Sequence, residues 1–198
     1  MKTVFLKIKD FIGLPLRILL RNDQVITLGF TPLHEDRISV CMQYAQSPIL
    51  DIGSGEANPF IKNNKIQGVG LDIHPFPGVN VCADAHYLPF LNNSFRTVSF
   101  ITSFNLMKSP DLVLTEVKRV LCRDGVVLIT VTNSFWLKLR LCSPLLGKER
   151  SVFTDKTRYG FSEERVERIL VQNGFNIIKK IRFFFGVSQL IIATPENG

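Results

Sequence analysis

A short apolar run, Ile49-Leu50-Asp51-Ile52, passes directly into Gly53-Ser54-Gly55, and this junction constrains the fold more than any other stretch. So short a run bounded by turn residues reads as a buried strand, not a helix. Gly53 and Gly55 give the turn access to positive φ and remove the Cβ atoms that would keep a ligand off the backbone. A strand, a glycine turn and a helix start together form a site for a polar or anionic cofactor group. A lone Gly-x-Gly also serves plain turns, so the neighbouring strands have to decide the matter. Val69-Gly70-Leu71-Asp72 is a second apolar run ending in an acid, 17 residues after Gly55. That is near the roughly 20-residue offset at which an acid meets a ribose diol in a βαβ unit. Residues 79–85 again run apolar into an acid, Asp84. Three strand ends bearing Asp51, Asp72 and Asp84 would line the carboxyl edge of one parallel sheet, where open α/β folds bind ligands.

Residues 49–57, Gly70-Leu71-Asp72, and Asp84-Ala85 followed by Leu88-Pro89-Phe90 resemble class I S-adenosylmethionine-dependent methyltransferases. The branch they are most similar to is type 11, which includes small-molecule and quinone-biosynthesis enzymes. Asn93-Ser94-Phe95, Ser109-Pro110-Asp111, residues 116–121 and Asp124-Gly125 extend the resemblance in the family's order. It is strong over 48–132 and loose over 158–194. The resemblance implies an α/β, Rossmann-like class I fold: a mostly parallel seven-stranded sheet with a reversed last strand and helices on both faces. It further implies a single methyltransferase domain over 1–198. This domain divides into an N-terminal helical cap (1–47), a cofactor half (48–132), a substrate-side insertion (133–161) and a closing helix with strands (162–198). Three positions depart from the family: Ala57 replaces a third loop glycine, Arg96 replaces a usual Asp, and only Gly125 precedes the fifth strand.

The remaining chain fits one compact domain of 198 residues. Strands are expected at 97–103 and 125–132, with a helix at 111–121 between them, capped by Ser109 with Pro110 in its first turn. Ser162 should cap a later helix, and residues 175–185 and 187–194 should form two closing antiparallel strands around Gly186. A helix is expected at about 35–46. The first 20 residues show apolar positions at helical spacing interrupted by lysines and by Pro15, with no secretory cleavage site. Two readings of that segment stand: a cap over the substrate side, or a basic amphipathic helix in peripheral contact with a membrane. No stretch reaches the roughly 18 apolar residues of a spanning helix, so a cytoplasmic protein, with or without membrane association, is expected. Cys41, Cys82, Cys122 and Cys142 lack metal-ligand spacing and read as buried reduced thiols; no metal is expected.

Charge is uneven. Residues 49–132 carry seven Lys+Arg against seven Asp+Glu, whereas 133–198 carry eleven against six. A basic excess on the substrate side suits an acidic acceptor, an anionic membrane surface or nucleic acid. The resemblance assigns S-adenosylmethionine as cofactor, held by Asp51, Gly53, Ser54, Gly55, Asp72, Ile73, Asp84, Ala85, Ile101 and Thr102. In that reading Asp51 anchors the loop or meets the ammonium group. Asp72 accepts both ribose hydroxyls, Ile73 flanks the adenine and Asp84 accepts from its amine. Backbone and side chain around Ile101, Thr102 and Ser103 close the pocket below the sulfonium. Among His34, His74, His86, Asn105 and Tyr159 no general base is assigned. The expected activity is methyl transfer to a small-molecule or lipid acceptor. The alternatives are an RNA or protein methyltransferase and a non-catalytic binder that kept the fold; nucleic acid fits less well because Thr102-Ser103-Phe104-Asn105 is not an amino-methylation motif of the Asn-Pro-Pro-Tyr type.

Overall fold

The structure is a computed structural model and describes residues 12–20, 22–28, 32–56, 58–64, 66–133, 161–184 and 186–196. Seven strands form one sheet: β1 (Ile49–Ile52), β2 (Gly68–Asp72), β3 (Val81–Cys82), β4 (Phe95–Ile101), β5 (Leu121–Thr132), β6 (Phe175–Phe183) and β7 (Ser188–Pro195). Their order is β3-β2-β1-β4-β5-β7-β6. The first five strands pair in parallel, and β7 runs antiparallel between β5 and β6. This is the expected Rossmann-like class I topology with its reversed last strand. The parallel order changes direction between β1 and β4, which places the crevice of the fold at the carboxyl end of β1.

Among the described residues, six α-helices accompany the sheet: α1 (Leu14–Leu19), α2 (Asn22–Thr27), α3 (Leu33–Met42), α4 (Pro59–Asn64), α5 (Pro110–Val120) and α6 (Glu163–Gln172). Helix α5 follows from its sequence. Pro110 occupies its first turn, Asp111 complements the positive end, and Lys118 and Arg119 complement the negative end. Val113, Leu114, Val117 and Val120 form its fully buried stripe, each contributing about 1.5–3 kcal/mol relative to exposure. Ser109 precedes the helix, but its side chain makes no capping bond. Ser162 does cap α6, accepting from Arg165 N at 3.3 Å.

Helices α5 and α6 pack on one sheet face through Val113, Val117, Val166 and Leu170. Helices α3 and α4 cover the other through Ile38, Cys41, Phe60 and Ile61. Leu14 of α1 meets Leu33, Val187 and Phe184 in a third cluster. Because β6 runs parallel to β5, the β6–β7 turn holding Phe184 and Val187 lies at the sheet's carboxyl edge, and α1 lies there with it.

Several expected spans shift. Strand β4 begins at Phe95 and ends at Ile101, so Thr102 and Ser103 lie beyond it. Strand β5 begins at Leu121, and a register irregularity between Phe95 and Thr97 absorbs the extra residues 122–125. The third strand shrinks to Val81–Cys82 because only two residues bond to β2. Cys41 is buried as expected, but Cys82 is exposed and Cys122 half-buried. A two-residue strand at the sheet margin has no layer to cover its side chains. Ala57, Cys142 and Tyr159, and nearly all of the expected insertion at 133–161, lie outside the described residues.

Candidate functional site

The glycine loop is fastened to β2. The Gly53 and Ser54 amides donate to Leu71 O at 2.8 and 3.1 Å. Gly53 takes φ +73°, and a Cβ on it would overlap the side chain of Ser103. Ser103 Oγ in turn donates to Ile52 O at 2.5 Å. Gly55 has φ +64° with nothing within 4 Å of where its Cβ would stand. The loop is therefore closed beneath by Ser103 and open above, the shape of a cradle. Behind it, buried Asn58 fills the space that Gly70 leaves by lacking a side chain. Asn58 Nδ2 and Gly70 N both donate to Asn80 Oδ1, at 2.8 and 2.9 Å.

Asp51 lies 3% exposed at the centre of the sheet. Its Oδ1 accepts from Ser99 Oγ at 2.7 Å. Burial pushes its pKa up to about 7; the Ser99 bond acts against that rise and the Asp72 charge adds to it. Burial, with the nearby Asp51 carboxylate, also drives the Cys41 thiol far above its ordinary value. Asp72 is buried and spans the loop: Oδ2 accepts from Gly55 N at 3.0 Å and Oδ1 from His74 N at 3.0 Å. Each oxygen keeps a second lone pair for a ligand donor.

The outer acid behaves differently. Asp84 is exposed, and its Oδ1 is engaged by His86 N at 2.9 Å and His86 Nδ1 at 2.5 Å. These bonds hold its carboxyl below the ordinary carboxylate range. Ala85 is buried and faces the core, whereas Ile73 is 60% exposed beside Asp72. The segment between Asp84 and β4 is clamped by α5. Glu116 Oε2 accepts from Leu88 N at 2.8 Å, and Arg119 donates to Leu88 O at 2.8 Å and Phe90 O at 2.7 Å. At the end of β4, Ile101 is half-buried and Thr102 exposed with φ +62°. Asn105, in the following 3₁₀ turn (Phe104–Leu106), buries an Oδ1 without a hydrogen-bond partner.

A buried carboxylate, a second acid tied to a glycine cradle, and an open face at a sheet's switch point fit a ligand with an ammonium group and a diol. A family model described as a methyltransferase domain, of type 11, matches residues 50–129. The fold is that of the class I S-adenosylmethionine-dependent methyltransferases, and the family model matches the cofactor half of the chain. An uncharacterised protein of Methanocaldococcus jannaschii is 33% identical over 147 residues, covering 67% of this chain. The chain thus spans 57% of that curated relative's length. Among solved structures, a Thermotoga maritima methyltransferase described as a possible histamine N-methyltransferase superposes with a TM-score of 0.61 at 17% identity. That match covers 82% of this chain and 89% of the relative. The Burkholderia thailandensis 1,6-didemethyltoxoflavin-N1-methyltransferase, solved with S-adenosylhomocysteine, gives 0.60 at 11% identity, covering 83% and 78%.

The structure gathers Asp51, Gly53, Ser54, Gly55, Asp72 and the backbone at Ile101 and Thr102 around the end of β1. Asp84 and Ala85 follow β3 at the same edge, where Ala83 N donates to Asp72 O at 3.0 Å and Ala85 packs in the core cluster of Ile52 and Leu71. Ser99, Asn58 and Thr130 were missed by sequence reasoning. Ser99 left a faint trace, a hydroxyl within the otherwise apolar run Val98 to Ile101. Asn58 and Thr130 act through partners distant in sequence and left none.

Proposed function

We propose that this protein is a methyltransferase that transfers a methyl group from S-adenosylmethionine to a small-molecule or lipid acceptor. The observation that carries the acceptor class is an apolar surface at the sheet's carboxyl edge. Ile12, Leu16, Ile26 and Leu28, in and beside α1 and α2, are 74%, 43%, 57% and 50% exposed. Helix α1 is held at that edge by Leu14, and Arg17 pairs with Asp36 of α3 and lies 5.2 Å from the Phe184 ring centroid. Exposed apolar side chains on the same sheet edge as a cofactor cradle suit an acceptor with an apolar portion. The two solved relatives named for small acceptors support this reading.

When bound, S-adenosylmethionine supplies a methyl group that is already activated, so alignment and desolvation carry much of the catalysis. In this chain Asp51 would receive the ammonium group and Asp72 the ribose hydroxyls, with Ile73 along the adenine. Ser103 and Thr102 would floor the pocket. Asp84, already bonded to His86, keeps its remaining lone pairs for the adenine amine. The basic excess after residue 132 favours an acceptor with an acidic group, and the N-terminal apolar surface favours peripheral contact with a membrane. No helix among the described residues is long and apolar enough to cross one.

Incubation with methyl-labelled cofactor and separate lipid, aqueous-metabolite and RNA or protein extracts tests the acceptor class. Label is expected in the lipid or metabolite fraction. Incorporation confined to RNA or protein would reject the proposal.

A further inference from the structure

Thr102 is the strained point of the site. It is β-branched yet takes φ +62°, a conformation such residues adopt only when their surroundings impose it. Its own hydroxyl bonds back to Ile101 O at 2.6 Å, a local contact that does not involve the rest of the fold. Its amide does: Thr102 N donates to Thr130 Oγ1 at 2.9 Å, and Thr130 is 1% exposed near the carboxyl end of β5. Ile101 is the register partner of Thr130, so the hydroxyl meets the chain one residue past the end of β4.

The consequence appears at the next residue. Ser103 is buried, its Oγ donates to Ile52 O at 2.5 Å, and its side chain fills the space where Gly53 lacks a Cβ. A chain continuing in extended conformation past Ile101 would carry Ser103 away from the loop. The left-handed turn at Thr102 brings it underneath.

We propose that Thr130 is a positioning residue for the cofactor: its buried hydroxyl holds Thr102 left-handed and so keeps Ser103 under Gly53. This rests on S-adenosylmethionine being the cofactor. Thr130 touches no part of the cradle itself; it acts through the Thr102 backbone. Losing the hydroxyl leaves the Thr102 amide unpaired and the strained turn without its hold.

Calorimetric titration with S-adenosylhomocysteine, with thermal unfolding in parallel, tests it. Thr130→Val keeps the shape and removes the acceptor, and affinity should fall at least tenfold. Thr130→Ser restores the hydroxyl and should bind within about twofold of the wild type. If Thr130→Val binds as the wild type does, whether or not its melting temperature drops, Thr130 is merely structural and the proposal is overturned. Should that variant not fold, Thr102→Pro at the exposed position cannot take positive φ. It too should lose at least tenfold, and unchanged affinity would overturn the proposal. A wild type that fails to bind S-adenosylhomocysteine overturns the cofactor reading instead, and this inference with it.

Discussion

Asp72 serves the loop and the ligand with one carboxylate. Its oxygens already accept from Gly55 N and His74 N, which fixes the side chain before any ribose arrives. Asp72→Ala should therefore weaken S-adenosylhomocysteine binding by about 1.5–3 kcal/mol, the scale of charge-assisted hydrogen bonds. Calorimetry giving an unchanged affinity would remove Asp72 from the site. Asp51 supports a second prediction, on pH. Its folded pKa is raised from 3.8 to about 7, so the folded state binds a proton that the unfolded state has released. The stability it contributes is fully present below pH 3.8 and is lost as pH rises through about 7. Asp51→Asn should flatten that part of the stability–pH curve in chemical denaturation. An ammonium group beside Asp51 favours its ionised form, so cofactor binding near neutral pH should release a proton. Titrations in buffers of different ionisation enthalpy will detect the release, and its absence would place the ammonium elsewhere. Both acids were legible in the sequence because each ends a short apolar run before a turn. Ser99 left only a faint trace: it acts on a partner about fifty positions away, across a strand pairing that local pattern does not reveal.

The cradle and the α5 clamp are the two elements on which the site depends. Gly53→Val forces a branched side chain into positive φ and into Ser103. Cofactor binding should be abolished while circular dichroism shows a folded chain; a variant that binds normally would reduce the loop to an ordinary turn. The clamp is a charge-assisted network in which Glu116 and Arg119 bond each other and the backbone of residues 88–90. Glu116→Ala removes the acceptor of Leu88 N and the partner of Arg119. It should cost about 1–3 kcal/mol, or roughly 2–12 °C of melting temperature for a chain this long. A change below about 0.5 kcal/mol would show the network to be mere surface decoration. The sequence marked α5 accurately because its apolar spacing, Pro110 and Asp111 agree. It misplaced the starts of β4 and β5, since the irregularity at residues 122–125 depends on pairing and leaves no periodic signal.

At the scale of the molecule, the strand order was legible only through the ordered series of motifs, whereas the tight turn at Gly186 marked β6 and β7 as antiparallel. The N-terminal surface was legible in part. Lysines and apolar residues at helical spacing marked an amphipathic segment, but whether it capped the core or faced outward depends on packing. The structure divides the two roles among different residues: Leu14 and Val25 turn inward, while Ile12, Leu16, Ile26 and Leu28 remain exposed. Residues 1–28 also carry five Lys+Arg against two Asp+Glu. Apolar side chains to insert and positive charge to attract are the two components of interfacial binding, and each basic residue near an anionic bilayer adds about 1 kcal/mol. The protein should therefore sediment with phosphatidylglycerol vesicles and much less with phosphatidylcholine vesicles. Raising salt should weaken the association, because exposed charges are screened within about a Debye length. Leu16→Glu with Ile26→Glu should release the protein from anionic vesicles, with thermal unfolding confirming that it remains folded. If the wild type ignores anionic vesicles at low salt, or the double variant binds them equally well, the exposed side chains belong to the acceptor pocket alone.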